Sequence, residues 1–248
     1  MPVAQIDDVE IAYVDEGEGQ AIVLIHGFAS SKEANWIDTG WVKWLTDAGY
    51  RVIAFDNRGH GESSKFHDAA HYSLELMARD AIGLIRHLGL KQPHVMGYSM
   101  GARISAWLLM HHGRDLSKVV LAGNGASMIE GSGDWTPVRE ALLAPSLADV
   151  SDPRGRAFRK FADQTKSDLV ALAECVTAVR QVFAPEDFEK IANSVLIAIG
   201  TEDDIAGSGQ VIADLIPRGK LLEIPGRDHM RAVGDPVYKQ GVVDFLDG

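Results

Sequence analysis

Apolar residues along this chain gather into short continuous runs separated by stretches of helical periodicity. The runs are AIVLIHG (21–27), RVIAFD (51–56), HVMGYS (94–99), KVVLAG (118–123), SVLIAIG (194–200) and KLLEIPG (220–226). Runs this short with little polar alternation predict strands buried on both faces, as in a parallel sheet. Between them, Met77, Ala81, Leu84, Ile85 and Leu88 recur at helical spacing, with Ser73 as a candidate N-cap and Gly89 as a stop. Residues 37–48 and 100–111 also read as helices. At the N-terminus, VAQID and VEIAYVD alternate apolar and polar positions around Asp7–Asp8, which predicts a β-hairpin at an antiparallel edge. The whole pattern predicts an α/β fold, a mostly parallel sheet with helices on both faces. It breaks after residue 126, where helical stretches at about 135–144, 153–165 and 168–183 follow one another without a clear strand. The expected organisation is therefore a core of residues 1–126 and 194–248 with a helical cap or lid inserted at 127–193.

Composition narrows the function classes. With 248 residues, 46% of them hydrophobic, the chain suits one domain with an elaboration. A net charge of −11 argues against nucleic acid or anionic membrane as a partner. The first residues, MPVAQIDDVEIAYVDEGEG, lack the basic start and apolar stretch of a targeting peptide, and no window approaches the ~18 apolar residues of a membrane span. Cys175, the single cysteine, excludes an internal disulfide, and a cytoplasmic location is expected. No spaced His/Cys/Asp cluster reads as a zinc site, so neither metal nor cofactor is expected. GxG occurs at 17–19, 59–61 and 123–125, but the first precedes a strand and the third lacks a final glycine, so a dinucleotide site is disfavoured.

In open parallel sheets, ligands bind beyond the carboxyl ends of the strands. The chemically interesting residues fall there: His26-Gly27-Phe28, the charged stretch from Asp56 to Gly61, Ser99, Asn124, Asp203-Asp204 and His229. GYSMG (97–101) closes an apolar run and opens a helix. That strand–turn–helix context is what a nucleophilic serine on a sharp turn requires. A serine hydroxyl needs a base, and the base an orienting acid. His229 lies on a loop after the last strand, and GTEDD (200–204) offers Glu202, Asp203 and Asp204.

In these motifs the sequence resembles the α/β-hydrolase family, over nearly its whole length and most weakly in the cap segment. HGF (26–28) is similar to the family's oxyanion-loop motif and DNRGHGES (56–63) to its D-x-R-G-x-G-x-S loop. GYSMG is similar to its nucleophile elbow, GTEDD to its acid loop and PGRDH (225–229) to its histidine loop. The resemblance implies an eight-stranded sheet with a small cap. It also implies Ser99 as nucleophile, His229 as base and Asp203, three residues after Gly200, as acid in preference to Asp204. The implied oxyanion donors are the backbone N–H groups of Phe28 and Met100. His26, Asp56, Arg58 and His60 are expected to brace the site rather than react.

The reaction this implies is hydrolysis of small to medium carboxylic esters or lactones through an acyl-enzyme, with a small-molecule substrate as the partner and the oligomeric state left open. C–C bond hydrolysis, thioester hydrolysis and perhydrolysis remain alternatives within the fold. A non-catalytic, receptor-like ligand binder is the alternative of another class. Serine at the elbow argues against the dehalogenase and epoxide-hydrolase branches, which carry aspartate there. Phe28, Trp135 and Asn124 are candidate substrate contacts, and Phe158, Phe161, Val179 and Phe183 candidate pocket walls or packing residues. Arg103 and Lys65 could pair with a carboxylate, but exposed charge is the default reading.

Overall fold

The computed structural model describes residues 2–248. Its strands are β1 (Val3–Ile6), β2 (Val9–Glu16), β3 (Gln20–Ile25), β4 (Tyr50–Phe55), β5 (His94–Tyr98), β6 (Val119–Ala122), β7 (Val195–Gly200) and β8 (Gly219–Ile224). They form one eight-stranded sheet in the order β1-β2-β4-β3-β5-β6-β7-β8. β1 and β2 pair antiparallel as the predicted hairpin, β2 pairs antiparallel with β4, and every later pair is parallel. β5, β6 and β7 are buried along their whole length, as continuous apolar runs require.

Helices α1 (Trp41–Asp47), α2 (Leu74–His87) and α3 (Met100–His112) connect the first strands. Of the helix predicted at 37–48 only α1 is helical, and a separate π-turn over Glu33–Ile37 precedes it. The two are separated because Gly40 takes a left-handed conformation, φ 78°, at the start of α1. Ser73 caps α2 as expected, accepting from Leu76 N at 3.0 Å. Two apolar layers cover the sheet: one built around α2 and α3, the other around α1 and the C-terminal helix, where Trp36, Trp41 and Tyr238 pack edge to face.

Between β6 and β7 the chain runs through α4 (Ser127–Glu130), α5 (Thr136–Leu143), α6 (Pro153–Gln164), α7 (Leu169–Ala178) and α8 (Pro185–Glu189). The stretch predicted as one helix to 183 ends at Ala178. The backbone there turns so that Phe183 N donates to Met128 O at 2.9 Å and the Gln181 carbonyl accepts from Arg103. α6 reaches back over the loops of the sheet, with Thr165 Oγ1 donating to Ala29 O at 3.0 Å and Phe158 against Phe28. The chain closes with α9 (Gly209–Leu215) and α10 (Pro236–Asp247). Among the described residues no helix is long and apolar enough to cross a membrane.

Candidate active site

Ser99 stands between β5 and α3 with φ 54° and ψ −112°, a conformation that costs a non-glycine residue of order 1–3 kcal/mol. The flanking glycines are required by space. A Cβ on Gly97 would lie 2.1 Å from Gly101 O, and one on Gly101 would lie 1.9 Å from Ile25 O. Only bare backbone lets the start of α3 sit so close to β3 and β5. Ser99 N donates to Ala122 O at 2.7 Å, tying the turn to the neighbouring strand.

Three side chains from three loops meet here. His229 Nε2 lies 2.9 Å from Ser99 Oγ, and His229 Nδ1 lies 2.7 Å from Asp203 Oδ2. The other oxygen of Asp203 accepts from Ile205 N and Ala206 N, both at 2.9 Å. Burial pushes the Asp203 carboxyl up, but the His229 contact and the two backbone donors outweigh it and hold the pKa below the usual carboxylate value. The adjacent Asp204 is not part of this chain of contacts. Tyr98 OH donates to His229 O at 2.6 Å, fixing the loop that carries the imidazole.

The loop after β3 supplies the opposite wall. His26 Nδ1–H donates to Gly27 O at 2.7 Å, and its Nε2 accepts from Asn57 N at 3.0 Å, so its tautomer is set and it points away from Ser99. Gly27 N donates to Asn35 Oδ1 at 3.1 Å. The N–H groups of Phe28 and Met100 have no protein acceptor among the described residues, which leaves both available to a ligand. Ala29 holds φ 60°, bending the loop at this point.

The charged stretch after β4 is an internal brace, as expected. Asp56 accepts from Lys32 N at 2.8 Å, from Lys32 Nζ at 2.7 Å and from Glu62 N at 2.8 Å. Arg58 forks onto Asp80 at 2.6 and 2.7 Å. His60 is wholly buried, and burial takes its pKa down to about 3. Lys32 and Asp80, essential to this brace, were not singled out from the sequence. Each lies more than 20 residues from its partner, so nothing local marks it.

A cavity of ≈ 240 Å³ opens above Ser99, walled by Phe28, Asn35, Phe158, Phe161, His229 and Met230. Two expectations are corrected here. Trp135 lies behind the wall, its ring 5.1 Å from that of Phe158. Asn124 faces the protein: its amide donates to Ser99 O at 3.1 Å and it accepts from Ser127 Oγ at 2.7 Å, so it supports the turn rather than the cavity. Val179 and Phe183 are buried outside the lining. Arg103, expected to be exposed, is 1% exposed, because α3 carries it under the segment between β6 and β7. Lys65 hydrogen-bonds the Gly61 and Ser63 carbonyls. A broader depression of ≈ 960 Å³ lies at the opposite end of the strands, around Gln92, His112, Lys118 and Asn193, away from Ser99. Among the described residues no three His, Cys, Asp or Glu side chains gather in a way that could hold a metal ion.

The family model for the α/β-hydrolase fold matches residues 20–144. The chain belongs to the α/β-hydrolase family. Over its full length it is 28% identical to the non-heme chloroperoxidase of Kitasatospora aureofaciens, which is covered in full. It is 25% identical to the 3-oxoadipate enol-lactonase 2 of Acinetobacter baylyi, over 92% of this chain and 90% of that one. Among solved structures, a bromoperoxidase from Bacillus anthracis superposes with a TM-score of 0.83 at 26% identity, covering 100% of this chain and 99% of the other. As an α/β-hydrolase, the chain has relatives that act on a lactone and relatives named for halogenation.

Proposed function

We propose that this protein is a serine hydrolase that cleaves small to medium carboxylic esters or lactones. The observation that carries the reading is the continuous path from Ser99 Oγ through the His229 ring to Asp203, with contacts of 2.9 and 2.7 Å, at the floor of an apolar cavity. His229 takes the Ser99 proton as Oγ attacks the acyl carbonyl, and the Phe28 and Met100 N–H groups receive the developing oxyanion. Collapse of the tetrahedral intermediate expels the alcohol, which takes the proton from His229. Water, deprotonated in turn by His229, then releases the acid and restores Ser99. Asp203 holds the tautomer and stabilises the imidazolium. The segment 127–193 acts as a cap, since Phe158 and Phe161 supply one wall of the cavity.

Ser99→Ala tests the reading: hydrolysis of p-nitrophenyl acetate falls by at least ~10³-fold while the fold is retained. A variant that keeps the parent rate refutes it. Tight small-molecule binding without any turnover by the parent protein points instead to a receptor-like binder.

A second reading is favoured by the full-length chloroperoxidase relative. Hydrogen peroxide replaces water in deacylation, the peroxide oxygen attacks the acyl carbonyl, and a peracid leaves as Ser99 regains its proton. Peracid formation from acetate and peroxide, lost in Ser99→Ala, is the outcome this reading requires.

A further inference from the structure

Two guanidinium groups, those of Arg154 and Arg180, meet one indole beside the cavity; a third, that of Arg103, lies over the Phe183 ring, and none of the three has a carboxylate partner. The guanidinium carbon of Arg180 lies 3.4 Å from the Trp135 ring centroid and 5.8 Å from that of Phe28. Arg154 approaches the same indole at 5.3 Å. Arg180 Nε donates to Val176 O at 3.1 Å, while its two terminal nitrogens meet no acceptor among the described residues. Arg103 donates to the carbonyls of Ser127 and Gln181, and its Nε is buried without a partner. The nearby acids are committed elsewhere: Glu174 to Arg139 at 2.7 Å and Asp168 to His67 at 2.9 Å.

Such an arrangement is costly. Arg103 is fully buried and Arg180 partly so, and desolvating a charge that has no counter-charge is unfavourable. Burial, reinforced by the charge of Arg103, pushes the Arg180 pKa down to about 9, and burial takes that of Arg103 to about 10. Cation–π contact with Trp135 offsets part of this for Arg180 but supplies no hydrogen-bond acceptor. The open fork of Arg180 is therefore matched to an anion from outside the protein. Its route is defined by Phe28, whose ring walls the cavity with Phe158 on one side and meets Arg180 on the other.

We propose that Arg180, seated between Trp135 and Phe28 and backed by Arg103 and Arg154, binds a carboxylate carried by the substrate. The substrates are then half-esters of short dicarboxylic acids, or lactones bearing a free carboxylate. A flat carboxylate matches the planar fork of arginine. The substrate class rests on the hydrolase reading above; the anion site does not.

The test compares monomethyl glutarate with its neutral carbamoyl counterpart, methyl 4-carbamoylbutanoate. The parent protein is expected to prefer the carboxylate by ~10-fold or more in kcat/KM, mainly through KM. In Arg180→Gln that ratio falls toward one, and Arg180→Lys retains part of it. Equal kcat/KM for the two esters, or a preference for the amide, overturns the proposal. Glutarate alone gives a second readout on the parent protein and on Ser99→Ala, independent of turnover and of whether Arg180→Gln folds. It is expected to raise the melting temperature of both proteins where glutaramide does not. No gain from glutarate overturns the anion site. Turnover surviving in Ser99→Ala, with the glutarate gain intact, removes the hydrolase reading and leaves the site standing.

Discussion

Two regions meet over Ser99, and they treat charge in opposite ways. In the loops that follow β3 and β4, buried cations are neutralised: Lys32 sits on Asp56, and Arg58 on Asp80. Where the segment between β6 and β7 packs on α3, the buried Arg103 and the half-buried Arg180 have carbonyls and aromatic faces but no carboxylate. The first region is electrostatically complete without a ligand and holds the Ser99–His229–Asp203 geometry still. The second is incomplete, and its unpaired groups lie just behind the cavity wall. On the proposed reading, the first region fixes the reaction and the second selects the substrate, and the two should respond differently to substitution.

The largest contrast is expected at the acid. Asp203→Asn keeps the shape but allows His229 the wrong tautomer, so kcat on every ester falls by ~10⁴-fold in steady-state assays. A loss confined to some substrates would move Asp203 into the selecting region. Next comes the brace. Asp56→Asn removes the one buried counter-charge of the wholly buried Lys32, leaving it the more exposed Glu33 and Glu62, and costs about 3 kcal/mol of unfolding free energy, read by denaturant titration. A cost under about 1 kcal/mol would mean that these loops are no more charge-complete than the segment between β6 and β7.

The buried imidazole gives a pH signature. The His60 pKa is about 3 in the folded protein, below its ordinary value of 6.5, so the unfolded chain binds the extra proton first. Its contribution to stability is whole above about pH 6.5 and is lost as pH falls toward 3. Asp203 and Asp56, also held low, add to the loss below pH 4. His60→Gln should lower the pH of the acid-unfolding midpoint followed by circular dichroism, and an unchanged midpoint would exclude His60 as a source of acid lability. The smallest effect belongs to the cavity wall supplied by α6. Phe158→Ala should change the ratio of kcat/KM between acetyl and hexanoyl esters by about 10-fold, through the one ring it removes from the cavity. A uniform loss across chain lengths would assign Phe158 to the reaction instead.

Much of the core was legible in the sequence because its signals are local. Strands buried on both faces are continuous apolar runs, and the loops after them are short enough that Ser99, Asp203 and His229 had to emerge at one edge of the sheet. The glycines of GYSMG marked the sharp turn at Ser99, whereas the close approach of backbones they also permit is visible only in the fold. The region between β6 and β7 was less legible, because its helices are set by contacts distant in sequence. α7 stops at Ala178 as the following chain is drawn onto Arg103 and Met128. The burial of Lys32 and Arg103 is likewise a tertiary outcome. Trp135 was noticed for its size, yet size says nothing about which side of Phe158 it occupies.

The central claim, that Ser99 Oγ becomes acylated with His229 and Asp203 behind it, is tested most directly by rapid quench of the protein with p-nitrophenyl acetate followed by peptide mass mapping. The account predicts a burst of p-nitrophenol and a gain of one acetyl group on the peptide containing Ser99. Steady turnover with Ser99 unmodified, or with the acetyl group on another residue, would contradict it.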